Sequence, residues 1–384
     1  MNPDTSGHSE TNLHVRIAAW LHACAALVFA VLVIGGATRL THSGLSIATW
    51  QPLVGAIPPL SDSAWQELFA QYRATPEFRL VNPGMDLGGF RAIFWWEYAH
   101  RLVARLAGLA YLLPFLGLLA SHKARAALRR PLLIRLGAIF LLGSLQGLAG
   151  WLMVASGLVD EPRVSPIRLA VHLGLALLLL AAMVWTAWGL RTGTVHASAL
   201  SLGSARSAAS GSHASRRIAA ASAVAFVFVM ALSGAMVAGT HAGHAFNTFP
   251  TMNGSLLPDG LLLLQPWYEN FLLNLLTVQF AHRVLAVAVL FSVLALAWLV
   301  RSVPHARATA GAMVALLLVQ LALGVATLLS MVWLPLALAH QTGAVLLWLS
   351  VLRTAFVLNG ARIPYASAAR RAASPIAAAS SAAR

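Results

Sequence analysis

Cysteine is almost missing from this chain: Cys24 is the only one. One thiol excludes an intramolecular disulfide, a cysteine-ligated zinc site and a cysteine-ligated iron–sulfur cluster, so any metal must be held by other ligands, with histidine the obvious supply. Charge is scarce as well. Only 10% of the 384 residues are charged against 59% hydrophobic, which excludes a soluble globular composition. Acids are the scarcer sign, 11 Asp and Glu against 26 Lys and Arg, giving a formal charge of +15. The basic residues fall mainly in alternate loops and in the tails, where membrane orientation explains them, so no nucleic-acid partner is expected.

What the chain does have is apolar runs long enough to cross a bilayer. The first follows Arg16 and reaches about Gly36. It is too long for a signal-peptide core and lacks a small-x-small cleavage site, so it reads as a retained transmembrane helix. Seven more are predicted near Trp96–Ala120, Pro131–Met153, Ile167–Leu190, Ile218–Gly239, Leu272–Val300, Ala308–Met331 and Leu334–Leu358. The fold class is therefore all-α: a polytopic membrane protein of eight transmembrane helices. Residues 1–15 read as a disordered tail, 16–191 as a first four-helix bundle, 192–216 as a cytoplasmic linker rich in Ser, Ala and Gly, 217–358 as a second bundle, and 359–384 as a second disordered tail. Loops carrying His122-Lys123-Ala124-Arg125, Arg129, Arg130, Arg191, Arg216, Arg217, Arg301 and Arg307 are cytoplasmic by the positive-inside rule, which puts both termini there.

The two halves repeat one another. Glu97-Tyr98-Ala99-His100-Arg101 heads one apolar run and Gln279-Phe280-Ala281-His282-Arg283 heads another. Gln146 and Gln320 each precede a glycine, assigned as Gly147 and Gly324, and His172 and His340 open the fourth and eighth spans. Four spans per half is an even number, so the copies are expected in parallel orientation, related by an axis along the membrane normal. His100, His172, His282 and His340 then lie toward the outer, periplasmic side. Two imidazoles on facing helices of a bundle supply both axial ligands of a haem, whose flat apolar ring suits an interhelical cleft. His100 is paired with His172, and His282 with His340. Arg101 and Arg283 either meet haem propionates or snorkel to the outer interface.

Glu97 breaks the repeat. A carboxylate beside an oxygen-binding haem can relay protons or stabilise developing positive charge, and Gln279 in the other half can do neither as an acid. The alternative is that Glu97 is solvated or simply paired with Arg101. The difference assigns chemistry to the first half and electron delivery to the second.

The run Gly35-Gly36-Ala37-Thr38-Arg39-Leu40-Thr41-His42-Ser43-Gly44-Leu45-Ser46, then Trp50-Gln51-Pro52, Glu97-Tyr98-Ala99-His100-Arg101, and Ser156-Gly157-Leu158-Val159-Asp160 through Arg168-Leu169-Ala170-Val171-His172 resemble the haem A synthase family. The likeness extends from about Arg16 to Leu358. It implies a haem-dependent membrane monooxygenase that oxidises a ring methyl of haem O to a formyl group by successive hydroxylations, giving haem A for terminal cytochrome oxidases. By residue match it implies Glu97 as the catalytic glutamate, His100 and His172 as ligands of the substrate haem, and His282 and His340 as ligands of a haem b. Some bacterial members carry a cysteine pair in the first outer loop. This chain has none there, so it resembles the cysteine-free branch also found in mitochondria. Expected partners are haem O, an electron donor that is either a ferredoxin-like protein or the quinol pool, a haem O synthase, membrane lipid and further copies of the chain. The expected location is the bacterial inner membrane. Two other functions fit parts of the pattern: a b-type cytochrome that only passes electrons, which leaves Glu97 unexplained, and a transporter, which would place its polar residues nearer mid-membrane.

Overall fold

A computed structural model describes residues 3–49, 54–159, 162–192 and 211–360. It is helical, with no strand among the described residues beyond one isolated bridge between Met252 and Ser255. The helices are α1 (Pro3–Leu40), α2 (Asp62–Arg73), α3 (Pro76–Leu80), α4 (Leu87–Ala120), α5 (His122–Ala127), α6 (Arg130–Ala155), α7 (Pro166–Thr192), α8 (Gly211–Thr240), α9 (Asn270–Leu273), α10 (Leu275–Val300), α11 (Pro304–Leu329) and α12 (Leu334–Gly360). Eight of them, α1, α4, α6, α7, α8, α10, α11 and α12, are long and apolar enough to cross a membrane. The chain is an integral membrane protein.

Helix ends follow local chemistry, and they shift several boundaries expected from hydropathy. α4 starts at Leu87, nine residues before Trp96, because Asp86 caps it by accepting from the Gly89 amide at 2.8 Å. The added turns are amphipathic and aromatic, so a window tuned to continuous apolarity passes over them. The sixth span is cut at Asn274, whose side chain accepts from the Leu276 and Thr277 amides; α9 stops there and α10 begins. α1 begins at Pro3 and α8 at Gly211, so helix extends into residues expected to be a disordered tail and the end of the linker. Nothing in those segments terminates a helix, and apolarity measures only the part a membrane would cover. The rest of the 192–216 linker beyond Thr192, residues 361–384, Trp50-Gln51-Pro52 and Asp160 lie outside the described residues.

Packing neighbours close into two rings. In one, α1 touches α4 and α7, and α6 touches α4 and α7; in the other, α8 touches α10 and α12, and α11 touches α10 and α12. The rings meet where α7 lies on α8 and α1 on α12. Their shared core is aliphatic, with Leu21, Leu136, Leu177, Leu180, Val293, Leu296, Leu317 and Val351 almost fully enclosed.

The long loops on the two sides are built differently. On the first side, Trp65 and Tyr72 of α2 join Phe90, Phe94 and Tyr98 of the first turns of α4 in a buried aromatic cluster of their own, with edge and stacked ring contacts such as Trp65–Phe94 at 4.9 Å. Between α8 and α10 the hub is Asn270, fully buried, which holds both the Leu264 amide and the Leu264 carbonyl and accepts from Asn274.

Candidate haem-ligand sites

His100 on α4 and His172 on α7 are half-buried, as are His282 on α10 and His340 on α12. His100 lies within electrostatic reach of His172, and His282 of His340, so each sequence-paired couple is brought together.

Every one of the four imidazoles rests against a glycine on a neighbouring helix. A methyl group placed on Gly35 would sit 2.6 Å from His100 Cε1, on Gly150 2.8 Å from His172 Cε1, on Gly324 2.9 Å from His340 Cε1, and on Gly234 3.4 Å from His282 Cε1. The first three distances are too short for a real side chain, so close approach of ring to backbone requires glycine there. Gly150 is also the true counterpart of Gly324. Each stands four residues after its glutamine, whereas Gly147, the glycine expected in that role, faces open space. Likewise Gly35 and Gly234 each stand seven residues before a histidine, His42 and His241. That shared spacing is a sequence signal for these two glycines.

The couples differ in what holds their rings. Ser233 Oγ lies 3.1 Å from His282 Nδ1, and Gln320 Nε2 lies 3.1 Å from His340 Nδ1 while donating to the His340 carbonyl at 2.9 Å. A partner on Nδ1 fixes the ring and leaves Nε2 as the nitrogen for a ligand bond. In the first couple, His100 meets the Val31 backbone carbonyl and His172 that of Gln146, as His340 meets that of Gln320; no side chain reaches either Nδ1, and Gln146 Nε2 stands 3.4 Å from His172 Nε2. Haem is the group the family resemblance implies, and these residues fit it: each couple offers two imidazoles from helices of one ring, and each imidazole lies against a glycine with no side chain between ring and helix backbone.

Next to His100 and His282, one polar pattern appears in two polarities. Glu97, 2% exposed, accepts on Oε2 from Ser46 Oγ at 2.7 Å and the Ile47 amide at 2.8 Å, and on Oε1 from Arg101 at 2.5 Å. Gln279, 3% exposed, donates instead to the Ala242 carbonyl at 3.1 Å and the Phe246 carbonyl at 3.2 Å, and accepts from Arg283 at 3.4 Å. Both arginines turn back onto their loops. Arg101 donates to the Ile47 and Thr49 carbonyls, and Arg283 to those of Phe246, Thr248, Pro250 and Thr251. Glu97 is thus paired with Arg101, as one of the two sequence readings had it, yet it is buried rather than solvated. Ser46 and Ile47, its other partners, carry no signal in a single sequence.

A second carboxyl lies nearby. Glu77 on α3 is 5% exposed, and its Oε2 has no hydrogen-bond partner. Burial, and after it the charge of Glu97, pushes its pKa up to about 7. Where the rings of helices meet, His42 and His241 stack with centroids 5.7 Å apart, both with left-handed backbones. Arg39 reaches the Ala238 carbonyl beside them. Burial, then Arg39, lowers the pKa of both histidines, that of His241 to about 4.

Eight membrane helices, two histidine couples on them, and a buried carboxylate beside only one couple define a polytopic membrane protein with an asymmetric pair of intramembrane sites. The chain belongs to the cytochrome oxidase assembly protein family, whose model matches residues 18–352. Among its relatives is the heme A synthase of Nitrosospira multiformis, 50% identical over 342 residues that cover 88% of this chain and 91% of the relative. The heme A synthase of Nitrosomonas eutropha is 45% identical, covering 91% and 96%, and that of Parvibaculum lavamentivorans 43% identical, covering 87% and 92%.

Proposed function

We propose that this chain is a haem A synthase of the bacterial inner membrane, oxidising a ring methyl of haem O to the formyl group of haem A, with His100 and His172 holding the substrate haem and His282 and His340 a resident haem b. The membrane helices, the family match and relatives similar over nearly their whole length support the activity. The single observation that carries the division of labour is the buried Glu97, replaced at its counterpart by Gln279.

Haem iron, when bound, supplies the oxygen and electron chemistry. The chain's own residues do the rest. His100 and His172 orient the substrate ring, and the absence of a side-chain partner on either Nδ1 suits a ligand that must arrive and leave. His282 and His340, steadied by Ser233 and Gln320, suit a group that stays. Glu97 Oε1 and Oε2, held by Arg101, Ser46 and the Ile47 amide, place an acceptor beside His100 that takes or returns a proton as the methyl is hydroxylated. The aromatic loop of α2 and α3 excludes water from that side. Electrons arrive from a ferredoxin-like protein or the quinol pool, haem O comes from a haem O synthase, and both termini are cytoplasmic with the sites toward the periplasm. The two rings of helices act as pseudo-symmetric, parallel four-helix bundles.

Co-expression with a haem O source tests this. The wild type is expected to release haem A, and Glu97→Gln to retain haem while accumulating haem O or a hydroxylated intermediate on chromatography of the extract. Normal haem A from Glu97→Gln would remove Glu97 from the chemistry, and a wild type that binds both haems yet forms no haem A would leave a b-type cytochrome as the better account.

A further inference from the structure

Two adjacent residues of α1 meet ligand-bearing helices from opposite halves. Gly35 seats His100 of α4. Gly36 faces α12: a methyl group there would fall 2.5 Å from Gln341 Cδ and closer still to its amide nitrogen and oxygen. Gln341 Nε2 donates to the Leu32 carbonyl at 2.8 Å, in the same turn of α1. Neighbouring residues of a helix point about 100° apart, so one turn of α1 presents one glycine to each half. The same is true of α12, where His340 turns toward Gln320 and Gly324 and the next residue, Gln341, turns toward α1.

The matching contact between α7 and α8 lacks this device. Gly234, the counterpart of Gly35, is followed by Ala235, and His172 is followed by Leu173. An amide therefore crosses the seam at α1–α12, and the sequence offers no amide at the corresponding positions of α7 and α8.

We propose that Gly35, Gly36 and Gln341 form one positioning element that ties the seat of His100 to the seat of His340, so that the geometries of the two haem sites are set together. This rests on the reading of the four histidines as haem ligands. None of the three residues touches a reacting atom. They act through the histidines, by fixing how far α12 stands from the turn of α1 against which His100 rests.

The test uses the full-length protein with both haems bound and reads the electron paramagnetic resonance g values of each low-spin ferric haem, which report ligand orientation independently of activity. Gly36→Ala is expected to shift the second-half signal, although residue 36 lies in the first half. Adding Gln341→Ala should bring that signal back to the position seen with Gln341→Ala alone, because the collision partner is gone. Gln341→Ala by itself adds no bulk, and it is expected to shift the first-half signal from across the seam. If Gly36→Ala does not yield folded protein, this last variant decides. An unmoved second-half signal in Gly36→Ala, a double variant as perturbed as Gly36→Ala, or an unmoved first-half signal in Gln341→Ala overturns the proposal. A different result would strike the underlying reading instead: a second-half signal that survives His340→Ala unchanged would show that His340 is not a ligand.

Discussion

The first and second halves of this protein use the same helices, the same histidine positions and the same glycine seats, and they differ in the polarity of one buried side chain and in the support given to the imidazoles. On the first side a carboxylate gathers donors from the loop after α1, while on the second an amide gives hydrogens to the carbonyls of the loop after α8. On the second side a side chain reaches each Nδ1, and on the first none does. On the proposed reading, the halves share what would place a ring between helices and differ in what would make that ring resident or reactive.

The comparison can be broken most severely at Glu97. A glutamine there must turn its NH2 toward either the Ile47 amide and Ser46 or Arg101, setting donor against donor. Together with the lost proton acceptor, haem A formation should fall by about 100-fold or more, measured as product per mole of enzyme. The ligand supports come next. Gln320→Ala is expected to weaken retention of the second-half haem by about 10-fold, the scale of a lost partner behind a histidine ligand. Gln146→Ala should change retention in the first half far less, because Gln146 reaches its histidine only at 3.4 Å. Titration of the reconstituted haems separates the two. Gln279→Glu sets a carboxylate against the Ala242 and Phe246 carbonyls and should cost about 1–3 kcal/mol in thermal stability in detergent, without creating a second oxidising site.

The smallest effect is a pH dependence from Glu77. Its carboxyl is raised from 4.5 to about 7, so the folded protein binds the proton more tightly than the unfolded chain. The contribution to stability is complete below about pH 4.5, declines as pH rises through about 7, and is flat above that. Glu77→Gln should remove this decline from melting curves across that window and leave the protein at pH 8 more stable by about 1–3 kcal/mol.

Much of this was legible in the residues. Eight spans follow from apolar length alone, and Glu97-x-x-His100 against Gln279-x-x-His282 exposes both the repeat and its flaw. The seats were harder to read. Glycines in membrane helices have many uses, and only geometry separates Gly150, pressed by an imidazole, from Gly147, facing open space three residues before it. Ser46 and Ile47 reach Glu97 from about fifty residues away through a loop closure that no periodicity encodes. The loop carbonyls that Arg101 and Arg283 meet can come from any residue, so they carry no sequence signature.

The most direct measurement is the identity of the haem lost from each half. Protein purified from cells making haem O should lose haem b and keep haem O or haem A in His340→Ala, and should lose haem O and haem A and keep haem b in His172→Ala. If either variant loses both kinds equally, or if His172→Ala loses only haem b, the assignment of substrate to the first half and resident cofactor to the second is wrong.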